Sequence, residues 1–130
     1  MFWSYVAVMT GGAFGVGARM LMSNWMAEYY GETYPWGTFA VNVLGCLIIG
    51  IFSGLTGPDG LLMTSPLVRQ VVMVGVLGGF TTFSSFSLQT LSLISSGEWF
   101  YASGNVALTV FSCLIATTVG LMLASLLQPR

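Results

Sequence analysis

The polar side chains that could do chemistry in this chain are almost all neutral. Thr38 and Asn42 lie four apart in one apolar run. Thr81, Thr82, Ser84, Ser85 and Ser87 crowd a second, and Asn105, Thr109 and Ser112 mark a third. Their hydroxyls and amides supply directed hydrogen-bond donors without a charge. Phe80, Phe83 and Phe86 are interleaved with the hydroxyl cluster, and a phenyl ring presents a positive edge. Together with Arg19 near the end of the first apolar run, these donors and ring edges suit a small anion better than a cation. Paired catalytic carboxylates and Ser/His arrangements are missing, and there is no histidine, so no enzyme chemistry is expected. Cys46 and Cys113 sit in separate apolar runs and read as small buried hydrophobes rather than as a disulfide or a metal pair.

Lipid must be the solvent that positions these residues. Of 130 residues, 55% are hydrophobic and 5% charged, against roughly 25% charged in ordinary soluble domains. Mean hydropathy is +0.87. The formal net charge of -1 includes no basic block, which argues against nucleic acid as a partner. A bilayer core takes about 20 apolar residues per helix. Four spans are expected, at about 2–25, 36–55, 66–95 and 99–127, in a single transmembrane domain. The first has no basic n-region and no small-x-small cleavage site, so it reads as a retained span rather than a signal peptide. Trp3, Trp25, Trp36 and Trp99 fall near span ends, where an interfacial aromatic belt belongs. Glu28, Glu32, Asp59 and Glu98 are all expected in loops.

The third segment is too long for one straight crossing. About 30 residues would reach roughly 45 Å, beyond a hydrocarbon core of roughly 30 Å. One solution is two half-helices joined near the membrane centre, marked by Gly78, Gly79, Thr81 and Thr82. The other is a continuous tilted helix whose Ser and Thr bond back to carbonyls one turn earlier. Irregular backbone at that depth is tolerated only inside protein or along a cavity. Glycines four apart (Gly11 and Gly15, Gly50 and Gly54, Gly75 and Gly79) let helix backbones approach closely. Four short helices enclose little interior, so a pore would most easily form at an oligomer interface. Orientation is weakly specified. Arg19 lies toward the first loop, while Arg69 and Arg130 lie on the opposite side. That bias either fixes one orientation or permits insertion both ways.

Each polar feature also has a plainer reading. Phe83 and Phe86 could simply face lipid or core. A mid-span asparagine is often interhelical glue, and an arginine near a span end often snorkels to the headgroups.

Taken together, PWGTFAVN (Pro35 to Asn42), GGFTTFSSFS (Gly78 to Ser87) and four spans of this length resemble the Fluc (CrcB) family of small bacterial fluoride channels over essentially the whole chain. The resemblance implies an all-α membrane protein whose third helix is broken near the membrane centre. It implies an antiparallel dual-topology homodimer in the bacterial cytoplasmic (inner) membrane, with two fluoride pores at the subunit interface. It further implies a structural Na+ at the dimer centre, held by the backbone carbonyls of Gly78 and Thr81. Phe83 and Phe86 match the ring edges that line each pore, and Asn42 the conduction-path asparagine. Thr38, Ser84 and Ser85 match the polar track, and Arg19 the arginine near the aqueous vestibule. Thr109 falls where a fourth-span hydroxyl is expected, with Cys113 a poorer donor one turn on. Gln89 stands where several relatives have glutamate, and Asn105 where some have tyrosine.

The rival reading is a small multidrug-resistance-type transporter. Proton coupling there needs a buried carboxylate in the first span, and Phe2 to Trp25 contains none. A third reading is an assembly protein that transports nothing.

Overall fold

The computed structural model describes residues 1–129. Helix α1 (Phe2–Tyr30) runs until Gly31, which takes φ 79° and closes it with a bond from its amide to the Ala27 carbonyl. Nothing before Gly31 stops a helix, so α1 continues five residues past the expected Trp25. Glu28 therefore lies on its last turns rather than in a loop. Helix α2 (Trp36–Leu55) follows Pro35 and ends at Thr56. The Thr56 carbonyl and hydroxyl each accept from Arg69 Nη1 at 2.5 Å, so Arg69 is spent on closing a helix end.

The third crossing is built from four pieces. Ser65 caps α3 (Pro66–Gln70), accepting from the Val68 amide, and Pro66 occupies the first turn, where its missing N–H costs nothing. A wider π-helical stretch, Val71–Val76, comes next, followed by α4 (Leu77–Phe80). Thr81 and Thr82 are extended, with φ/ψ of -85/157° and -153/115°. Helix α5 (Phe83–Ser95) resumes the crossing. Gly97 turns the chain with φ 78°, and α6 (Trp99–Leu126) returns it. The interruption falls on the two threonines, while Gly78 and Gly79 remain helical.

Among the described residues, four segments are long and apolar enough to cross a bilayer: Phe2–Tyr30, Trp36–Leu55, Pro66–Ser95 and Trp99–Leu126. Consecutive crossings alternate in direction, so α2 and α6 run parallel. Large apolar side chains such as Phe14, Leu21, Phe100 and Phe111 are exposed, as lipid-facing positions should be.

Small residues hold two seams. Along α2 and α6, Gly54 sits so close to Ala124 that an added Cβ would lie 2.5 Å from the alanine methyl, and Gly50 packs on Thr117 and Gly120. Along α1, an added Cβ on Gly75 would come 2.6 Å from the Val8 carbonyl, and one on Gly79 would come 2.5 Å from that of Gly12. Backbones at such separation accept only hydrogen as a side chain. The four-apart glycine pairs thus stand at helix contacts.

Candidate functional site

The break at Thr81–Thr82 is held open by side chains. The Thr82 amide donates to Asn42 Oδ1 at 2.7 Å, and Asn42 Nδ2 donates back to the Thr82 carbonyl at 3.0 Å. Asn42 thereby replaces the helical partners of one residue with a matched pair of its own. Thr82 Oγ1 caps α5, accepting from the Ser85 amide at 3.2 Å. In an unbroken helix those two amides would bond to the carbonyls of Gly78 and Thr81. With both amides diverted, the two carbonyls have no backbone donor among the described residues. Thr81's receives only a long 3.5 Å contact from Arg19 Nη1. Its hydroxyl turns back to the Leu77 carbonyl at 2.9 Å.

Two opposite helix ends therefore meet inside the span. The carbonyl end of α4 is electronegative and the amide end of α5 electropositive. At the α5 end the hydroxyls gather, with Thr82 Oγ1 3.1 Å from Ser85 Oγ and 3.3 Å from Ser84 Oγ. Half-helix ends at mid-membrane are the groups with which transport proteins meet ions: amide ends for anions, carbonyls for cations.

A groove of about 460 Å³ opens beside the break. It brings Asn42, Gly78, Thr81, Phe83, Phe86 and Thr109 together, along with Thr82, Cys46, Met73 and Cys113. Phe86 is buried, whereas Phe83 is 75% exposed; their ring centroids lie 5.3 Å apart, with planes inclined 53°. One ring forms the wall and the other stands free, which a residue needing a second surface would do. Behind the wall, Thr109 Oγ1 donates to Asn105 Oδ1 (3.3 Å), Asn105 Nδ2 to Thr90 Oγ1 (2.9 Å), and Thr90 Oγ1 to the Phe86 carbonyl (2.8 Å). Asn105 is 1% exposed, so it clamps α5 to α6 and stays out of the groove.

The remaining sequence candidates lie elsewhere. Thr38 lines a separate polar recess of about 360 Å³ with Asn24, Glu32, Gln89 and Ser92. Ser84 and Ser85 line neither cavity and belong to the first turn of α5. Arg19 also lines neither; its guanidinium reaches the break.

Two features escaped the sequence reading. Thr82, one member of a cluster, is the keystone; its signal is a hydroxyl three residues ahead of Ser85, the spacing of a helix cap. Cys46 and Cys113 are half-exposed rather than buried, and both face the groove. Polarity periodicity alone does not reveal that two helices leave a channel between their apolar faces. In the loop after α1, burial pushes the Tyr34 phenol above its ordinary value of 10.0.

Fold and site define a small four-helix membrane protein with a broken third crossing and a neutral, largely apolar groove at the break. The family profile described as CrcB-like protein, Camphor Resistance (CrcB), matches residues 6–121. Among the curated relatives, a protein of Opitutus terrae is 51% identical over 116 residues, covering 89% of this chain and 88% of that one. One of Methylocella silvestris is 47% identical over 120 residues, 92% of each. One of Rhodospirillum rubrum is 47% identical over 117 residues, 90% of this chain and 91% of that one. All three bear the name Fluoride-specific ion channel FluC. The chain belongs to the CrcB family.

Proposed function

We propose that this protein is a fluoride-selective channel that lets fluoride leave the cytoplasm passively and so relieves its toxicity. The observation that carries the reading is the interruption at Thr81–Thr82, with an amide helix end where three hydroxyls gather and a free phenyl ring at the edge of the adjoining groove. The names of the relatives supply the ion. Fluoride is small and tightly hydrated, so a selective path must replace its water with fixed donors. Ser84, Ser85 and Thr82 offer hydroxyls, and Phe83 and Phe86 offer ring edges. Asn42 holds the α5 end in place and keeps one amide hydrogen beyond its bond to Thr82. Thr38 lies in the polar recess, where an ion would shed its first waters. A negative interior favours anion exit by about 2.3 kcal/mol per 100 mV. Nothing in this route requires a proton-coupled carboxylate, and Glu28, the one acid on α1, is exposed near that helix's end.

The working unit is an antiparallel homodimer in the bacterial inner membrane. Support comes from the groove itself: a single chain leaves it open on one face, with Phe83 projecting from its edge. A second, inverted copy would close it and turn a groove into a pore. The weak arginine bias suits insertion in both orientations.

The carbonyls of Gly78 and Thr81 fit a structural Na+ in their chemistry, being hard oxygen donors without backbone partners. When bound, the ion would offset the electronegative end of α4. The Arg19 guanidinium, beside the Thr81 carbonyl, supplies positive charge at the same oxygen from the protein's own side.

The test is efflux from liposomes loaded with fluoride or chloride, with potassium and valinomycin clamping the voltage. Fluoride release without chloride release is expected. Equal release of the two halides would defeat selectivity, and no release of either would return the chain to the assembly reading.

A further inference from the structure

The parallel seam between α2 and α6 keeps a constant register: Gly50 meets Thr117, and Gly54 meets Leu121. The same offset, one turn earlier, sets Cys46 opposite Cys113, and one turn earlier again it sets Asn42 opposite Thr109. Cys46 and Cys113 thus face one another across the seam. Both are half-exposed, unbridged, and on the wall of the groove. Met73 places a thioether on the same groove. Three sulfurs from three crossings thus border one space beside the break, in a chain with only two cysteines.

We propose that Cys46 and Cys113 form a two-thiolate clamp for a soft d10 cation of the Hg2+, Ag+ and Cu+ class, held in this groove. The donor count selects the class. Among the described residues no three His, Cys, Asp or Glu side chains gather as a metal site, so a tetrahedral zinc site has too few ligands. Soft two-coordinate ions need only two thiolates, and sulfur donors select them over hard cations. Capture is a substitution without redox change: Hg2+ displaces one proton from each thiol, forms two Hg–S bonds, and releases two protons. A coordinating thiol is deprotonated by the metal itself. The ion would then sit within the space lined by Asn42, Phe83, Phe86 and Thr109. On the channel reading, on which this consequence alone rests, it plugs the path.

The experiment titrates the purified full-length chain with Hg2+. Bound metal is counted by mass spectrometry, and resistance to stripping by a competing monothiol is measured. One ion per chain is expected, with both thiols protected from alkylation. Cys46→Ser and Cys113→Ser should each leave a one-thiol adduct that is stripped about a hundredfold more easily, the usual loss when an intramolecular second contact is removed. Two ions per chain at saturation, or equal resistance in the single variants, would overturn the clamp. So would mercury-bridged pairs of chains on a non-reducing gel, because the thiols would then face a neighbouring copy. Fluoride efflux is followed in parallel. A mercury block in the native chain that vanishes in both serine variants supports the clamp and its place in the path. Capture without block supports the clamp and instead removes this groove from the route of the ion.

Discussion

From Val71 to Phe80 the third crossing lies backbone to backbone against α1, whereas from Phe83 to Ser95 it is held through side chains. In the first half, Gly11, Gly15, Gly75 and Gly79 leave no room for a Cβ, and among the described residues no side-chain hydrogen bond joins the two. In the second, Asn42 pairs with Thr82, Thr82 caps α5, and Asn105 ties Thr90 to α6. Backbone contact fixes where α4 must end, and side-chain pairing then fixes how α5 begins. The two halves should fail in different ways: a methyl group breaks the first, and loss of an amide breaks the second.

Asn42→Leu should have the largest effect. It leaves the Thr82 amide and carbonyl, both in a buried residue, without partners. Each orphan costs about 1–3 kcal/mol, so the pair costs about 2–6 kcal/mol and fluoride flux is lost. Thermal unfolding in detergent and liposome efflux read the two effects. A variant as stable as the native chain would mean that the break is set by backbone packing alone, and the contrast between the halves would collapse.

Gly79→Ala tests the other half. Its methyl meets the Gly12 carbonyl at 2.5 Å, and backbone has little freedom to yield, so a loss of about 1–3 kcal/mol is expected. Gly78→Ala is the control one residue away. There the nearest atom to an added Cβ, the Met73 carbonyl oxygen, is 3.8 Å off, so the single chain should tolerate it. Equal destabilisation by both would show that Gly78 is also covered, as a second copy on the groove face would make it.

Phe83→Ile and Phe86→Ile separate stability from conduction. Phe86 is 6% exposed and Phe83 75%. Replacing Phe86 should cost about 1 kcal/mol in packing, and replacing Phe83 almost nothing in the isolated chain. Flux should nevertheless fall in both and vanish in the double variant, while the protein stays folded. Unchanged flux in the double variant would remove the rings from the mechanism.

Much of this architecture was legible because lipid imposes simple demands. The four apolar runs, the four-apart glycines and an over-long third segment each follow from span length and close approach. The position of the interruption was harder. Gly78, Gly79, Thr81 and Thr82 together marked the weak point, but Gly79 serves a helix contact and both glycines stay helical, and within that stretch the break falls on the threonines, where Asn42 can supply partners. That depends on a residue forty positions away, which local propensity does not see. The π turn at Val71–Val76 left no trace, because a run of valines has the same apolar pattern at 3.6 residues per turn as at a wider winding. Likewise, Thr38 and Asn42 share a helix face by spacing, yet the structure assigns them to different cavities. The family resemblance carried the pore roles; the residues alone carried only their chemistry.

Tyr34 lies outside both halves, and its effect should be the smallest. It stands in the loop between α1 and α2, its ring 4.6 Å from that of Trp36 and 6.4 Å from that of Tyr101. Its hydroxyl is buried and has no partner among the described residues. A buried polar atom left unpaired is worth removing, so Tyr34→Phe should raise stability by about 1 kcal/mol. The raised phenol adds a pH dependence of definite sign. In the unfolded chain the group ionises near 10.0 and in the folded chain above it. The folded state thus holds its proton longer, and the associated stability is lost as pH rises from 10.0 through the folded value. The advantage of Tyr34→Phe should therefore widen on the alkaline side of 10.0 and be flat below it. Thermal midpoints of the two proteins on either side of that pH provide the check. A less stable Tyr34→Phe would show that the hydroxyl has a partner after all, and a second chain packed across this end of the molecule is a place where one could be found.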